Sequence, residues 1–427
     1  MTDNNQNQLP HQTQIVVIGG GVVGVSAALL LNERGIPVVL CEKGRIAGEQ
    51  SSRNWGWIRR QGRDIAELPL MEYSRALWAR LAKEVDQDIG FRIGGVSYIG
   101  ETEADMHRYE TWLSSARELV ADSKLLSRKE ANTLAGRNDQ HFLGGLITPG
   151  DAYAEPSLAV PAMARLARSR GVQIFENTAV RALQRQGGKI TGAITERGVL
   201  NCQSVILAGG VWSRTLLENE GLSFAQLAVK ASVLRTSKVS PVASCTLGAA
   251  SAALRPRADG GYTIARFTES TFELVPAAIS HLPAFFPMLR TEWKNIKVRA
   301  GRSFFGPLGR QRWQAEECSP FEAVRTMNPE PDEKLLSDVM RKARELFPAL
   351  HDATPVETWA GMIDFTPDEI AVVSKIDNTE GLILASGMSG HGFGFGPGAG
   401  LLAAQLAINE TPVVDPAPLS LSRFRAA

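Results

Sequence analysis

The 427-residue chain is poor in cysteine and balanced in charge. Its four cysteines, Cys41, Cys202, Cys245 and Cys318, are widely spaced and form no CxxC or Cys/His pairing. That argues against a zinc site or a redox dithiol, and fits a reducing, cytoplasmic setting. Cys41 sits in an apolar run and reads as a small hydrophobic packing residue. With 46 Lys and Arg against 45 Asp and Glu, the net charge is +1. The strongly basic footprint of a nucleic-acid binder is missing. The opening "MTDNNQNQLPHQTQ" has no basic region, apolar core or small-residue cleavage site, so no secretory leader is expected. One uncharged run, Ile15 to Leu31, is broken by Gly19, Gly20 and Gly21. A turn explains it better than a membrane span.

What the sequence does have is glycine, concentrated near both ends. "QIVVIGGGVVGVSAALLLNERGIPVVLCEK" reads as strand, tight turn, helix and strand. Ile15 to Ile18 is a β-branched run suited to burial on both faces. Gly19, Gly21 and Gly24 then fill a G-x-G-x-x-G pattern: one for the turn, one for close approach to a pyrophosphate, one for helix–strand packing. A helix over 22–34, closed by Gly35, presents its N-terminal N–H groups to that pyrophosphate. Glu42 ends the second strand, where a carboxylate accepts hydrogen bonds from a ribose. Together these features predict a dinucleotide site. A nicotinamide domain would continue directly into further βα units. Here a polar loop, "GRIAGEQSSRNWGWIRRQGRD", follows, and the next buried strand with a Gly-Gly turn lies far downstream in "VLNCQSVILAGGVWSRTLL". That spacing suits a flavin domain assembled from separated segments.

The second cluster, "SGMSGHGFGFGPGAG" (386–400), holds seven glycines in fifteen residues. Such a run costs backbone entropy and needs a reason.

The order of the N-terminal pattern, "SS" at Ser51-Ser52, "NTAVRAL" (177–183), "ILAGGVWS" (206–213), "WAGMIDFTPDE" (359–369) and "SGHGFGFGPG" (389–398) resembles the amino-acid oxidase-type flavoproteins. That superfamily contains D-amino-acid dehydrogenases, glycine oxidase and sarcosine oxidase. "CEKGRIAGEQSSR", "AGGVWSR", "ECSPFEAVRTM" and "PVVDPAPLSLSRF" are more similar still to the membrane-associated bacterial L-amino-acid deaminases. The resemblance implies an α/β fold. A Rossmann-type FAD-binding domain (12–75, 150–225, 355–427) would be interleaved with a smaller α+β substrate domain (76–149, 226–354) built on an antiparallel sheet. It implies FAD bound by Gly19, Gly21, Val23, Gly24, Glu42, Lys43, Ser51, Ser52, Arg53, Val180, Gly209, Gly387, His391, Gly392, Phe393 and Gly394. It also brings the C-terminal glycine loop beside the isoalloxazine ring. Pro397 is then the first residue of a helix from about Ala399 to Ile408, whose positive end faces the reduced flavin. Sarcosine oxidase-like relatives attach FAD through a cysteine where this chain has Gly361, so the FAD is expected to be non-covalent.

The implied reaction is oxidation of an amino acid, an L-amino acid by the likeness to the deaminases. Hydride passes from Cα to flavin N5, and the imine hydrolyses to a 2-keto acid. Orientation of the carboxylate dominates such chemistry, and a bidentate arginine does it best. Arg266, after a hairpin turn at Asp259-Gly260-Gly261, is the candidate anchor, with Arg255 and Arg302 as alternatives. His391 is the candidate proton-handling group. Trp57 and Phe393 are candidate walls of the substrate cage, although Trp55 and Trp57 also read as core packing. Arg59, Arg60 and Arg63 read as solvent-exposed, with one of them a candidate to face the cofactor. The electron acceptor is oxygen or a quinone of the respiratory chain. "HLPAFFPMLRTEWKNIKVRAGRSFF" (281–305) combines five basic residues and one acid with Phe285, Phe286, Leu289, Trp293 and Ile296. A short helix starting at Pro287 would put Leu289, Trp293 and Ile296 on one face. It reads as a domain-packing helix or as a peripheral contact with the inner membrane. Other reactions stay open: D-amino-acid, secondary-amine or 2-hydroxy-acid oxidation, or a flavin subunit of a heteromeric electron-transfer complex.

Overall fold

The computed structural model describes residues 8–267, 270–292, 296–299, 301–309 and 312–424. The short β-branched and leucine-rich runs gather into one six-stranded sheet. Its order is Val372–Lys375, Leu382–Ser386, Ser204–Leu207, Ile15–Ile18, Val38–Cys41 and Gln173–Phe175. Neighbours run parallel, with Ile15 beside both Ser204 and Val38. The edge strand Val372–Lys375 is antiparallel to its neighbour. Val38–Cys41 and Ser204–Leu207 are buried along their whole length, as strands covered on both faces must be. Both ends of the chain therefore meet in one sheet.

The helix after the first strand spans Val22–Asn32 and is buried from Val22 through Leu31. It is covered by the glycine-rich helix. The sequence places that helix at about 399–408, but it runs from Gly392 to Ala407 with Pro397 inside it. A Cβ at Gly396 would stand 2.6 Å from Val22 Cγ1, and one at Gly400 would stand 2.8 Å from the backbone nitrogen of Ala27. On the opposite side, a Cβ at Gly398 would meet Leu70 O at 2.8 Å in the helix Leu68–Glu84. The glycines therefore let one helix pass between two others at backbone distance.

Pro397 survives inside the helix because the neighbouring helix repairs the ladder. Proline has no N–H for the carbonyl four residues back. That carbonyl, Phe393 O, accepts from Trp78 Nε1 at 3.2 Å instead. Ser74 Oγ bridges the next rung, accepting from Gly398 N at 3.0 Å and donating to Gly394 O at 2.7 Å.

A second, mostly antiparallel sheet of ten strands lies alongside. Its longest pairing joins Leu227–Thr236 to Pro355–Phe365, from Leu227 opposite Phe365 to Thr236 opposite Pro355. The latter strand belongs by sequence division to the FAD-binding segment 355–427, yet it is built into this sheet. The turn at 257–261 forms, with Gly260 at φ +83°, between strands Ala253–Pro256 and Tyr262–Ala265.

In the 281–305 segment the helix spans Leu282–Glu292, so Pro287 lies within it and does not start it. Ile296 opens a strand, Ile296–Arg299, and Trp293 lies outside the described residues. Phe285 is buried among Ala225, Leu227 and Val275, with Leu289 packed against that cluster, while Phe286 faces outward. No helix among the described residues is long and apolar enough to cross a membrane.

Candidate functional site

A cleft of about 1230 Å³, counting the space open to solvent, lies at the carboxyl ends of the parallel strands. The first turn shapes it. Gly19 takes φ +108°, and a Cβ there would stand 2.4 Å from Ala208 O, so only glycine fits. A Cβ at Gly24 would stand 2.0 Å from Gly19 O, which makes its role helix-to-turn packing. Gly21 is different. Its nearest obstacle is the Ser51 hydroxyl at 3.0 Å, so a side chain there would project into the cleft wall. Ser51 Oγ in turn accepts from Val22 N at the first turn of the helix, at 3.0 Å. Glu42 accepts from Gly20 N and Gly44 N, each at 2.7 Å, and burial pushes its carboxyl above the usual range.

Of the residues predicted for the cofactor, Gly19, Gly21, Val23, Glu42, Lys43, Ser51, Val180, Gly209, Gly392 and Phe393 line this cleft. Others do not. Ser52 Oγ donates to Glu49 O at 3.2 Å. Arg53 gives its guanidinium to the carbonyls of Met327, Gly48 and Ala360, which leaves it tying loops together. Gly387, at φ +71°, packs on Thr366, and its N–H goes to Asp364. Gly394 is pressed against the Trp57–Ile58 backbone.

Several wall residues carried no strong sequence signal. Glu49 accepts from Lys43 Nζ at 2.7 Å, Trp212 Nε1 at 2.9 Å and Met327 N at 2.9 Å. The Lys43 ammonium also sits 4.3 Å above the Trp212 ring. Residues 319–327 form a strap across this side. Phe321 lines the cleft, and Arg325 pairs with Glu196 while donating to Lys43 O at 2.9 Å. Asp364, an acid inside the apolar run "GMIDF", accepts from Gly387 N at 2.7 Å, Ser386 Oγ at 3.2 Å and Gln226 Nε2 at 3.3 Å. Burial raises its pKa against those hydrogen bonds.

His391 stands between the wall residues Gly390 and Gly392, but its ring turns toward Glu67. Nδ1 is 3.7 Å from Glu67 Oε2, too far for a hydrogen bond. Burial, with Arg59 and Arg63 adding to it, pushes the imidazole down to about 4 against the pull of Glu67, so it is neutral near pH 7. Glu67 is held at about 2 despite its burial, by His391 and Arg63 and by the Ala371 N–H.

The arginines near this end correct the sequence reading. Arg60 and Arg63, expected at the surface, are buried. Arg60 donates to Asp151, Glu72 and Asp122, and Arg63 to Glu67 and to His391 O. Arg255 is saturated by Glu155, Thr263, Trp55 O and Pro256 O. The side chain of Arg302 lies outside the described residues. Arg266 pairs with Asp338 on the helix Glu333–Leu346. The next residue, Phe267, just past the end of the strand Tyr262–Ala265, makes a different set of contacts. Its ring joins Trp55, Trp57 and Tyr98 at centroid distances of 5.0, 5.4 and 5.4 Å. Trp57 thus belongs to an aromatic cluster, with its backbone against Gly394, and is 7% exposed.

The donor set fits an extended dinucleotide. It combines a glycine cradle at a helix N-terminus and a buried acid at the end of the second strand. Two buried polar atoms, Gln50 Oε1 on the wall and Ser213 Oγ beside Gly209, lack a protein partner. Among the described residues, no cluster suits a metal.

Fold and cleft together define a dinucleotide-binding oxidoreductase. Residues 14–406 match the family described as DAO, FAD dependent oxidoreductase, and the chain belongs to it. It is 26% identical to 4-methylaminobutanoate oxidase (formaldehyde-forming) of Paenarthrobacter nicotinovorans over 99% of its own length, and spans only 47% of that protein. It is 26% identical to glycine oxidase of Pseudomonas aeruginosa, covering 95% of this chain and 97% of that one. Among solved structures it is similar to the L-amino acid deaminase of Proteus myxofaciens in complex with anthranilate. The TM-score is 0.92 at 29% identity, over 98% of this chain and 95% of that one. FAD is therefore its cofactor.

Proposed function

We propose that this protein oxidises the C–N bond of an α-amino acid, an L-amino acid in preference, to an imine that hydrolyses to a 2-keto acid and ammonia. The observation that carries the reading is the near-complete structural likeness to L-amino acid deaminase, at a TM-score of 0.92. When bound, FAD supplies the acceptor for the hydride on Cα. Gly19, Gly21, Ser51, Glu42 and Val180 would hold its dinucleotide portion, and Gly390, Gly392 and Phe393 would border the ring. Asp364 locks the loop that carries these three through Gly387 N. His391, neutral near pH 7, adds no charge beside the reacting centre. With Gly361 at the position where sarcosine oxidase-like relatives carry their cysteine, the cofactor should dissociate on acid precipitation and leave a colourless protein pellet.

The test is anaerobic reduction of the bound flavin by paired L- and D-amino acids, with N-methyl amino acids and 2-hydroxy acids alongside. Bleaching by the L-series, with keto acid and ammonia formed on turnover, is the expected result. Bleaching by N-methyl amino acids alone would move the protein to secondary-amine oxidation, a reading supported by its 25% identity to N-methyl-L-tryptophan oxidase of Salmonella typhi. A peripheral membrane contact through 281–305 belongs to the same proposal. Ile279, Leu282, Phe286, Val298 and Phe305 are exposed apolar residues around that segment. Flotation with anionic liposomes tests it, and a protein that stays wholly unbound contradicts it.

A further inference from the structure

Resting on that reading, we infer that Arg59, and not Arg266, anchors the substrate carboxylate, with Trp57, Tyr98 and Phe267 as an apolar wall that favours an aromatic or bulky side chain. Trp57, in the strand Trp57–Ile58, and Arg59 just after it reach the same ring, Trp57 packing on Tyr98 at a centroid distance of 6.2 Å. Ile58, between them, packs into the opposite core with the sheet helices. The Arg59 guanidinium lies 5.9 Å from the Tyr98 ring centroid. The same Tyr98 ring packs at 5.4 Å on Phe267.

The neighbouring cations are all neutralised: Arg60 by Asp151, Arg63 by Glu67, Arg255 by Glu155 and Arg266 by Asp338. Arg59 has no carboxylate partner among the described residues, and its guanidinium donates to one carbonyl, Gln61 O. A half-buried cation without a counter-ion pays desolvation that an incoming anion would relieve. Arg59 follows directly on the strand Trp57–Ile58, and while the side chains of Trp57, Arg59, Tyr98 and Phe267 do not line the cleft itself, the backbone that carries Trp57 and Arg59 lies against it. A Cβ at Gly394 would stand 3.0 Å from Ile58 Cα and 3.4 Å from Arg59 N, and the preceding residue, Phe393, is on the cleft wall. An α-carboxylate held by Arg59 would therefore lie between the aromatic wall and the ring-side residues. Arg266 faces the helix Glu333–Leu346 and would first have to release Asp338.

Benzoate, an unreactive aromatic carboxylate, is the probe, followed through the visible flavin spectrum of the holoenzyme. R59Q is expected to weaken benzoate binding about 10- to 100-fold, the loss typical of one charge-assisted contact. R59K should recover part of it, and R266Q should stay within about twofold of wild type. FAD content, measured in each variant, shows whether the fold is intact, and R59K keeps the charge if R59Q does not fold. Wild-type affinity in R59Q, loss in R266Q instead, or no benzoate binding by wild type would each overturn the inference. Anaerobic reduction by amino acids separates the two ideas. Normal substrate saturation in R59Q sinks the Arg59 anchor alone. Benzoate binding that depends on Arg59 in a protein that no amino acid bleaches sinks the oxidation reading alone.

Discussion

The two glycine clusters look alike in sequence and do different work. In the N-terminal one, Gly19 makes a turn that no side chain permits, and Gly21 opens the cleft. In the C-terminal one, Gly390 and Gly392 reach the cleft, but Gly394, Gly396, Gly398 and Gly400 are pressed against protein: a strand, the Val22–Asn32 helix and the Leu68–Glu84 helix. Glycine density therefore has two separate causes here, access for a ligand and access for a neighbouring helix. Only the position of the missing Cβ tells them apart.

Substitutions can break that comparison in graded ways. The largest loss is expected from Gly400→Val. Its side chain would meet main-chain atoms of the Val22–Asn32 helix at 2.8 to 2.9 Å, which cannot yield as a flexible side chain could. Overpacking of this kind costs about 3 kcal/mol or more, read as a lower urea midpoint. Ser74→Ala comes next. It removes the bridge between Gly394 O and Gly398 N beside Pro397; Gly394 O keeps Trp78 Nε1 at 3.1 Å, but Gly398 N loses its side-chain acceptor in the interior, for about 1–3 kcal/mol.

His391→Asn should change the pH profile instead of the plateau. The folded pKa is about 4 against an ordinary 6.5, so in that window the unfolded chain binds the extra proton. Stability is then full above pH 6.5 and falls as the pH drops toward 4, by about 1–2 kcal/mol with the ring partly open to solvent. The variant should lose that slope and also part of the loss below pH 4.5 that comes from Glu67, whose folded pKa of about 2 is held down by His391 together with Arg63 and the Ala371 N–H. Thermal melts of both proteins across pH 4 to 7 check it, and an unchanged slope would refute it. The smallest effect is expected from Arg325→Ala, which opens the strap's pair with Glu196. FAD release, followed by fluorescence, should quicken about two- to fivefold, as suits a pair that solvent reaches.

The first strand, the turn, the helix and Glu42 were legible because each has a local cause: β-branched strands, positive-φ glycine and an acid at a strand end. The discontinuous sheet was legible from the family likeness, since no local signal brings Leu382–Ser386 beside Ser204–Leu207. What failed was side-chain direction. Arg266 and Phe267 are adjacent, and one residue of register decides which of them faces the aromatic cluster. Arg60 and Arg63 look like surface arginines until Asp151 and Glu67 arrive from elsewhere in the chain. Pro397 signals a helix start in any local reading. Its position inside the helix depends on Trp78 and Ser74, more than three hundred residues away. The Arg325 strap was visible as a likeness in "ECSPFEAVRTM", but its ion pair to Glu196 is a tertiary event.

The most direct measurement is paired: FAD affinity and apo-protein melting temperature for Gly21→Val and Gly400→Val. Gly21 has extended backbone, φ −78°, so a side chain there brings no backbone strain and asks only that the Ser51 hydroxyl, 3.0 Å away, give slightly. A ligand-access glycine and a packing glycine must then separate. Gly21→Val should lose FAD while its apo form melts as wild type does, and Gly400→Val should melt early, with any FAD loss following its unfolding. If Gly21→Val binds FAD normally, or if both variants lose affinity and stability in equal measure, the two clusters do not divide the work between cofactor and fold.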